Sequence, residues 1–278
     1  MCPTIGKKRI AQTLARAGLT LGVSTVGRIL KESAAKRPEP VEGAVSEEPL
    51  DEQVKGSPVK AKAPNHVWQI DLTLVPTAAG FWTPWLPFAF VQSWPFAWWV
   101  ACVVDHYSRR VIGFAVFLKE PKSVDVRTFL GRLVRRHGAP KYIVSDKGRQ
   151  FDCTGYQAWC KRKGIQPRYA STGSLRATAV IERFLLLLKD EWLRRIVVPL
   201  RQETMRRELA VYAFWFTEHR THQGLGGRTP NETYESRSGA KVGFHERQMP
   251  KTIFRRELCI RYHEGGSQLP IVELRRAA

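Results

Sequence analysis

The sequence predicts an α/β fold with a mixed sheet, from the order of its patterns and from its composition. Three apolar runs rich in β-branched and aromatic residues follow one another between Val67 and Leu118. After them, helical and strand periodicities alternate as far as His219, an order that suits helices packed on a sheet with both parallel and antiparallel pairs. Hydrophobic residues make up 43% of the 278, enough to cover such a sheet and to exclude global disorder.

Taken in order, residues 1–37 carry eight basic residues and one acid, Glu32. Lys7–Ala17 sets Ile10, Leu14 and Ala17 along one helical face. Ser24 is placed to cap a second helix, in which Val26, Ile29 and Leu30 recur at helical spacing. The intervening Gly18 and Leu21-Gly22-Val23 suit a helix-turn-helix, with Arg28 and Lys31 facing outward toward phosphates. An ordinary helical hairpin fits the same pattern. Two helices are few for a DNA-binding domain, so the segment is either cut short or leans on a partner surface.

Residues 38–64 read as a linker, because six acids lie between Glu39 and Glu52 with no base among them and prolines recur at 38, 40, 49, 58 and 64. Strands are expected at Val67–Val75, Trp98–Asp105 and Arg110–Leu118. A basic amphipathic helix, Val124–His137, runs up to Gly138, and a short strand, Lys141–Ser145, comes next. A helix at Tyr156–Lys163, a strand at Gln166–Tyr169, and long helices at Ala177–Ile196 and Gln202–His219 complete the core. Residues 65–236 thus form one sizeable domain. The extension 237–278 holds strand-like pieces at Thr252–Phe254, Cys259–His263 and Ile271–Leu274, consistent with a small β unit.

Net charge and a charge-free stretch bound the partners. With 45 Lys+Arg against 25 Asp+Glu, the formal charge is +20 and the pI about 10.2, which points to a polyanionic partner. From Leu72 to Val104 there is no charged residue, yet Pro76, Pro84, Pro87 and Pro95 break the run well short of the roughly 20 residues that a spanning helix needs. No membrane segment is expected; 78–99 reads instead as an aromatic insertion that packs on the core or on a sister subunit. Five cysteines, at 2, 102, 153, 160 and 259, include no CxxC pair and suit a reducing compartment. Cys259 and His263 read as a structural pair.

Three acids stand out. Asp71 interrupts an apolar strand, where an unpaired carboxylate is costly unless it faces solvent, a cation or a site. Asp146 follows the end of a short strand, a place where sites gather in α/β sheets. Glu182 lies one turn into a helix, on a face with Leu185, Leu186 and Lys189 that is expected to look inward. Singly they have plain readings: a half-buried strand acid, a turn acid, a solvated helix acid. Jointly they suit phosphoryl transfer on DNA, in which two divalent cations about 3.5–4 Å apart are flanked by carboxylates. Lys189, about 10.5 Å along the helix from Glu182, is placed to hold a phosphate of the same substrate.

Together Asp71, Asp146 and Glu182, with 35 residues between the last two, resemble the DDE triad of the retroviral integrase superfamily, which includes many bacterial insertion-sequence transposases. The surrounding words agree: Trp68-Gln69-Ile70-Asp71-Leu72-Thr73, Val103-Val104-Asp105-His106-Tyr107-Ser108-Arg109-Arg110, Ser145-Asp146-Lys147-Gly148-Arg149-Gln150-Phe151, and Glu182-Arg183-Phe184 with Lys189. Arg220-Thr221-His222-Gln223-Gly224-Leu225 with Thr229-Pro230 is similar to the segment that closes the core in bacterial transposases of this group. The likeness covers about 66–235. Two positions depart from it: Thr178 stands where members often carry Asn, and Thr221 where they often carry Pro. The retroviral His/Cys zinc domain has no counterpart.

The resemblance implies a ribonuclease H-like core with a mixed five-stranded sheet flanked by helices, the three acids meeting at one edge. It implies two Mg²⁺ (or Mn²⁺) ions on Asp71, Asp146 and Glu182, with Lys189, Lys147, Arg149 and Arg183 as DNA contacts beside Arg28 and Lys31 of the helix-turn-helix. The implied activity is cleavage at transposon ends, followed by attack of the freed 3′-hydroxyl on target DNA. Terminal repeats and target DNA would be the partners, and a homodimer or larger assembly on two ends the working form, in the bacterial cytoplasm at the nucleoid. Ser171-Thr172-Gly173-Ser174 matches the mobile loop before the catalytic helix. A nuclease without strand transfer, or a decayed transposase that only binds DNA, are the alternatives.

Overall fold

The computed structural model describes residues 6–17, 19–34, 61–77, 96–170, 178–236, 256–263 and 269–276. Most of the expected linker, residues 78–95 of the aromatic insertion, the 171–174 loop and Thr252–Phe254 lie outside them. The described residues divide into two compact units, one within Val54–Thr217 and one drawn from Met1–Gln53 and Glu218–Ala278.

The larger unit is a mixed five-stranded sheet with helices, as its pattern predicts. Strands β1 (Val67–Pro76), β2 (Ala97–Asp105) and β3 (Val111–Phe117) are consecutive and antiparallel; β4 (Tyr142–Ser145) and β5 (Gln166–Tyr169) add in parallel on the other side of β1, in the order β3-β2-β1-β4-β5. The central strand therefore changes pairing sense at β1. Its register sets Asp71 opposite Cys102. Trp68, Ile70, Val100, Val103 and Val104 are wholly buried, as a sheet covered on both faces requires.

Helix α3 (Ser123–His137) packs against β3 and against α4 (Thr154–Arg162). Its approach to β3 is close enough to demand glycine: a Cβ on Gly113 would stand 2.6 Å from Leu133 Cδ2. Helix α5 (Ala179–Glu191) crosses β1 and β2. It is shorter than the expected Ala177–Ile196. Trp192 leaves helical geometry at φ −130° and buries its ring, and a 3-10 turn, Leu193–Arg195, follows.

Helix α6 (Gln202–Glu218) covers α5 through an aromatic layer, with Phe184 edge-on to Phe216 at 5.0 Å and Tyr212 donating its hydroxyl to buried Glu191 at 3.1 Å. Trp98, assigned from sequence to both strand and insertion, belongs to β2; it is buried and its Nε1 donates to the Pro199 carbonyl at 2.7 Å. Burying an aromatic ring of this size removes about 150–250 Å² from water, worth at most roughly 4–6 kcal/mol.

In the smaller unit, α1 (Lys7–Arg16) and α2 (Val23–Ala34) share a small core of Ile10, Ala11, Leu14 and Val26. Leu21 and Val272 pack against it; Val272 belongs to β7 (Pro270–Arg276), which pairs antiparallel with β6 (Arg256–Tyr262). Two expectations for α2 fail. Its helix begins before Ser24, with the Val26 N–H bonded to the Gly22 carbonyl, and only Val26 of the apolar trio turns inward, while Ile29 and Leu30 are exposed. The small core is completed by β7 instead. Arg16 also forks onto Glu232 of α7 (Pro230–Ser236) with two hydrogen bonds of 2.6 and 2.5 Å. Cys259 lies on β6 with its side chain outside the described residues.

Candidate active site

The candidate site lies within the larger unit, at the edge of β1 and β4 beside the start of α5. Along β1, period-two alternation sends Trp68 and Ile70 to one face and Gln69, Asp71 and Thr73 to the other. Asp71 is half-buried and accepts the Leu72 backbone N–H at 2.7 Å. Its pKa is pushed up to about 6, chiefly because burial penalises the charged form, and further by the negative charges of Asp146 and Glu182; the Leu72 N–H and the Lys189 ammonium pull the other way. The three acids thus share one electrostatic neighbourhood with Lys189. Burial and Asp71 also drive the Cys102 thiol far above its usual range.

Asp146 follows β4 and is exposed. The Gly148 N–H reaches back to its Oδ1 at 3.2 Å, and the Phe151 and Asp152 N–H groups both bond the Gly148 carbonyl, so the turn behind the acid is closed. A Cβ at Gly148 would collide with the Gln150 side-chain amide. The face expected to look inward does so only in part: Leu185 is buried, but Leu186 and Glu182 are exposed, Glu182 on the first turn of α5, where Thr178 Oγ1 donates to its Oε1 at 2.6 Å.

Lys147 and Arg149 are exposed beside Asp146, Arg183 is partly buried beside Glu182, and Lys189 is partly buried two turns along α5. Arg28 and Lys31 are exposed on α2, in the other unit.

Asp105 and Gln69, with the residues they bond, carry structural roles that the sequence did not reveal. Asp105, wholly buried at the end of β2, accepts the Asn65 N–H at 2.8 Å, the Ser108 N–H at 2.8 Å and the Ser108 hydroxyl at 2.7 Å. These bonds fold the Tyr107-Ser108-Arg109 turn, in which Arg109 takes a left-handed φ of 65° and donates to the His106 carbonyl at 2.8 Å. Gln69 is wholly buried, bonded to His106 and to the start of α5. The available signal was a polar residue two positions before Asp71 on an otherwise apolar strand, which by alternation shares the face of that acid.

Hard carboxylate oxygens are the ligands that Mg²⁺ and Mn²⁺ take. Among the described residues no three such side chains are close enough to cage one ion alone. The Asp71 pKa is raised chiefly by burial, with the Asp146 and Glu182 charges adding to it, and a bound cation would offset both.

Two family profiles, both described as integrase core domain, match residues 61–174 and 163–230, together more than half of the chain. The chain belongs to the integrase core family. This integrase core is 25% identical over 174 residues to the transposase for insertion sequence element IS904 of Lactococcus lactis, covering 62% of each chain. It thus spans less than two thirds of that relative's length. It is 26% identical over 240 residues to transposase InsF of insertion sequence IS3A from Escherichia coli, covering 84% of this chain and 77% of the relative.

Among solved structures, the simian T-cell lymphotropic virus intasome in complex with PP2A regulatory subunit B56 gamma matches with a TM-score of 0.51 and 17% identity, over 83% of this chain and 74% of that one. That likeness supports the ribonuclease H-like fold. No helix of the described residues is long and apolar enough to cross a membrane.

Proposed function

We propose that the chain is a DDE transposase or integrase that cleaves DNA and transfers the freed strand to a target in the presence of divalent metal. The observation that carries this is the convergence of Asp71, Asp146, Glu182 and Lys189 in one electrostatic neighbourhood, within a chain whose curated relatives are transposases. Asp71, Asp146 and Glu182 would hold Mg²⁺ or Mn²⁺, two ions per site. When bound, such ions activate the attacking oxygen and stabilise the leaving one.

The residues themselves position and neutralise. Lys189 holds a phosphate of the substrate, with Lys147, Arg149 and Arg183 beside the acids available to the flanking backbone. The reaction joins a DNA 3′-hydroxyl to a target phosphate as the target's own 3′-oxygen leaves, so one phosphodiester replaces another. Arg28 and Lys31 on α2 contact phosphates of the element's ends. Terminal repeats and target DNA are the partners, two or more copies of the chain act on paired ends, and the bacterial cytoplasm is the compartment.

The deciding experiment supplies the full chain with labelled terminal-repeat DNA, target DNA and Mg²⁺. Strand transfer that is lost in Asp146→Ala supports the reading. Cleavage without joining would assign a nuclease, and DNA binding without cleavage a decayed transposase. Activity that survives Asp146→Ala would overturn the site.

A further inference from the structure

Gln69 is wholly buried on the strand that carries Asp71, and both ends of its amide are engaged. The Ile181 backbone N–H donates to its Oε1 at 2.9 Å, and its Nε2 lies 2.8 Å from His106 Nδ1. With Oε1 turned to a helix N–H, the atom facing the imidazole is an amide donor. His106 must then present Nδ1 as an acceptor and carry its own proton on Nε2. Burial, with the nearby Arg109 charge, lowers the His106 pKa to about 4, so the neutral ring persists through the neutral range.

Ile181 is the third residue of α5, so its N–H is one that a helix cannot satisfy from within. The residue before a helix ordinarily accepts such a bond through a hydroxyl. Thr178 stands in that place but makes no capping bond; its hydroxyl is turned to Glu182 instead. We infer that Gln69 is a positioning residue that caps α5 from β1 and so fixes where Glu182 stands relative to Asp71.

One amide then joins the strand of the first acid, the helix of the third, and His106 in the turn after β2. Glu182 directly follows Ile181, so a helix start that slips carries the acid with it. Reacting groups displaced by about 1 Å can lose roughly a hundredfold in rate. The inference rests on the proposed function only in assuming that Asp71 and Glu182 work together.

The test uses the full chain with Gln69→Leu, His106→Phe and His106→Asn, the last offering Oδ1 where Nδ1 was. Amide hydrogen exchange at Ile181 and Mn²⁺ binding followed by electron paramagnetic resonance are the readouts. Gln69→Leu and His106→Phe should speed exchange locally at 180–182 and weaken Mn²⁺ binding about 10- to 100-fold. Metal-free DNA binding should stay unchanged, and His106→Asn should restore both readouts. In strand transfer, kcat should fall while KM for DNA holds.

Wild-type exchange at Ile181 and wild-type Mn²⁺ binding in Gln69→Leu would overturn the inference. Should that variant fail to fold, the contrast between His106→Phe and His106→Asn decides in the same way: equal behaviour of the two overturns it. If the wild type binds no Mn²⁺ and joins no DNA, the functional reading fails, while exchange at Ile181 still decides the clamp.

Discussion

Thr178 Oγ1 donates to Glu182 Oε1 at 2.6 Å, across one turn of the helix that carries the third acid. The hydroxyl stands at the helix cap yet grips a carboxylate instead of a backbone N–H. The resemblance calls for Asn at this position in many members, and an amide nitrogen can make the same donation.

Removing that hydroxyl should therefore cost function more than stability. Thr178→Val gives up no capping bond, so its loss of stability should fall below the ~1 kcal/mol usual for a capping residue. Glu182 would lose its tether and have to be ordered when cations bind. The Mg²⁺ concentration that half-saturates strand transfer should rise several-fold, to about tenfold, and Thr178→Asn should recover it. A metal titration and a urea denaturation series check both halves. A large stability loss with an unmoved metal midpoint would show that Thr178 acts as an ordinary cap.

Asp71 sets a dependence of stability on pH whose sign can be worked out. Its pKa of about 6 in the fold exceeds the ordinary 3.8, so the folded chain keeps this proton to higher pH than the unfolded chain does. Ionising it costs stability as pH rises from about 4 to 6, and the cost is fully present above that window. Asp71→Asn removes the charge and leaves an oxygen to accept the Leu72 N–H. In chelator at pH 8 the variant should be more stable than wild type by about 1–3 kcal/mol, with the gap closing toward pH 4. Urea midpoints at the two pH values decide it, and a less stable variant at pH 8 would contradict the cost of burying this carboxylate ionised beside Asp146 and Glu182.

Most of the sheet is legible in the sequence because alternation and β-branched runs report a strand that is covered on both faces. Of the candidate acids, Asp71 stands out in the sequence because a carboxylate within an apolar strand has few physical excuses. Helix ends were harder: α5 stops at Glu191 because Trp192 buries its ring, a tertiary event that helical periodicity does not encode. The apolar trio of α2 misled for a related reason, since the small core of Ile10, Leu14 and Val26 is closed by Val272 from β7, far along the chain. Gln69 escaped notice because its partners, His106 and Ile181, are distant in sequence and meet only in the fold.

Buried Asp105 makes a third expectation. Its carboxylate takes the Asn65 and Ser108 N–H groups and the Ser108 hydroxyl, so Asp105→Ala strands those two backbone donors. Each orphaned donor costs about 1–3 kcal/mol. Asp105→Ala should lose about 2–5 kcal/mol, whereas Ser108→Ala, which removes one hydroxyl donor and leaves the backbone bonds, should lose about 1 kcal/mol. Guanidinium denaturation of the two variants gives the comparison. Equal losses would mean that the backbone N–H groups find other partners.

The smaller unit offers a test of its own construction. Arg16 and Glu232 make a bidentate pair, and Glu232 also accepts the Thr229 N–H at 2.9 Å. These bonds outweigh burial and hold the Glu232 carboxyl below its usual pKa. Both side chains keep partial solvent access, so the pair is worth about 1 kcal/mol or less. Arg16→Glu should nonetheless do more harm than Arg16→Ala, because it sets two carboxylates against each other. The charge-swapped double variant, Arg16→Glu with Glu232→Arg, should recover part of that loss but not all, since arginine cannot accept the Thr229 N–H. Proteolysis of the full chain, with cleavage within α1 as the readout, follows the effect, and full recovery in the swap would show that the ion pair alone ties α1 to α7.

The positive charge is the last quantity to test, and its distribution matters more than its sum. Arg28 and Lys31 are exposed on α2, a helix whose inward face is narrow. If they neutralise phosphates, each releases condensed counterions, and affinity falls as a power of salt concentration with about 0.9 in the exponent per phosphate. Arg28→Gln and Lys31→Gln should each lower the magnitude of that slope by about one while weakening binding uniformly across DNA sequences. Lys147→Gln and Arg149→Gln, beside Asp146, should lower it as well. The measurement is equilibrium binding of terminal-repeat and unrelated duplexes across a salt series. A slope unchanged in the α2 variants would take that helix off the DNA and leave the phosphate contacts to the residues around the three acids.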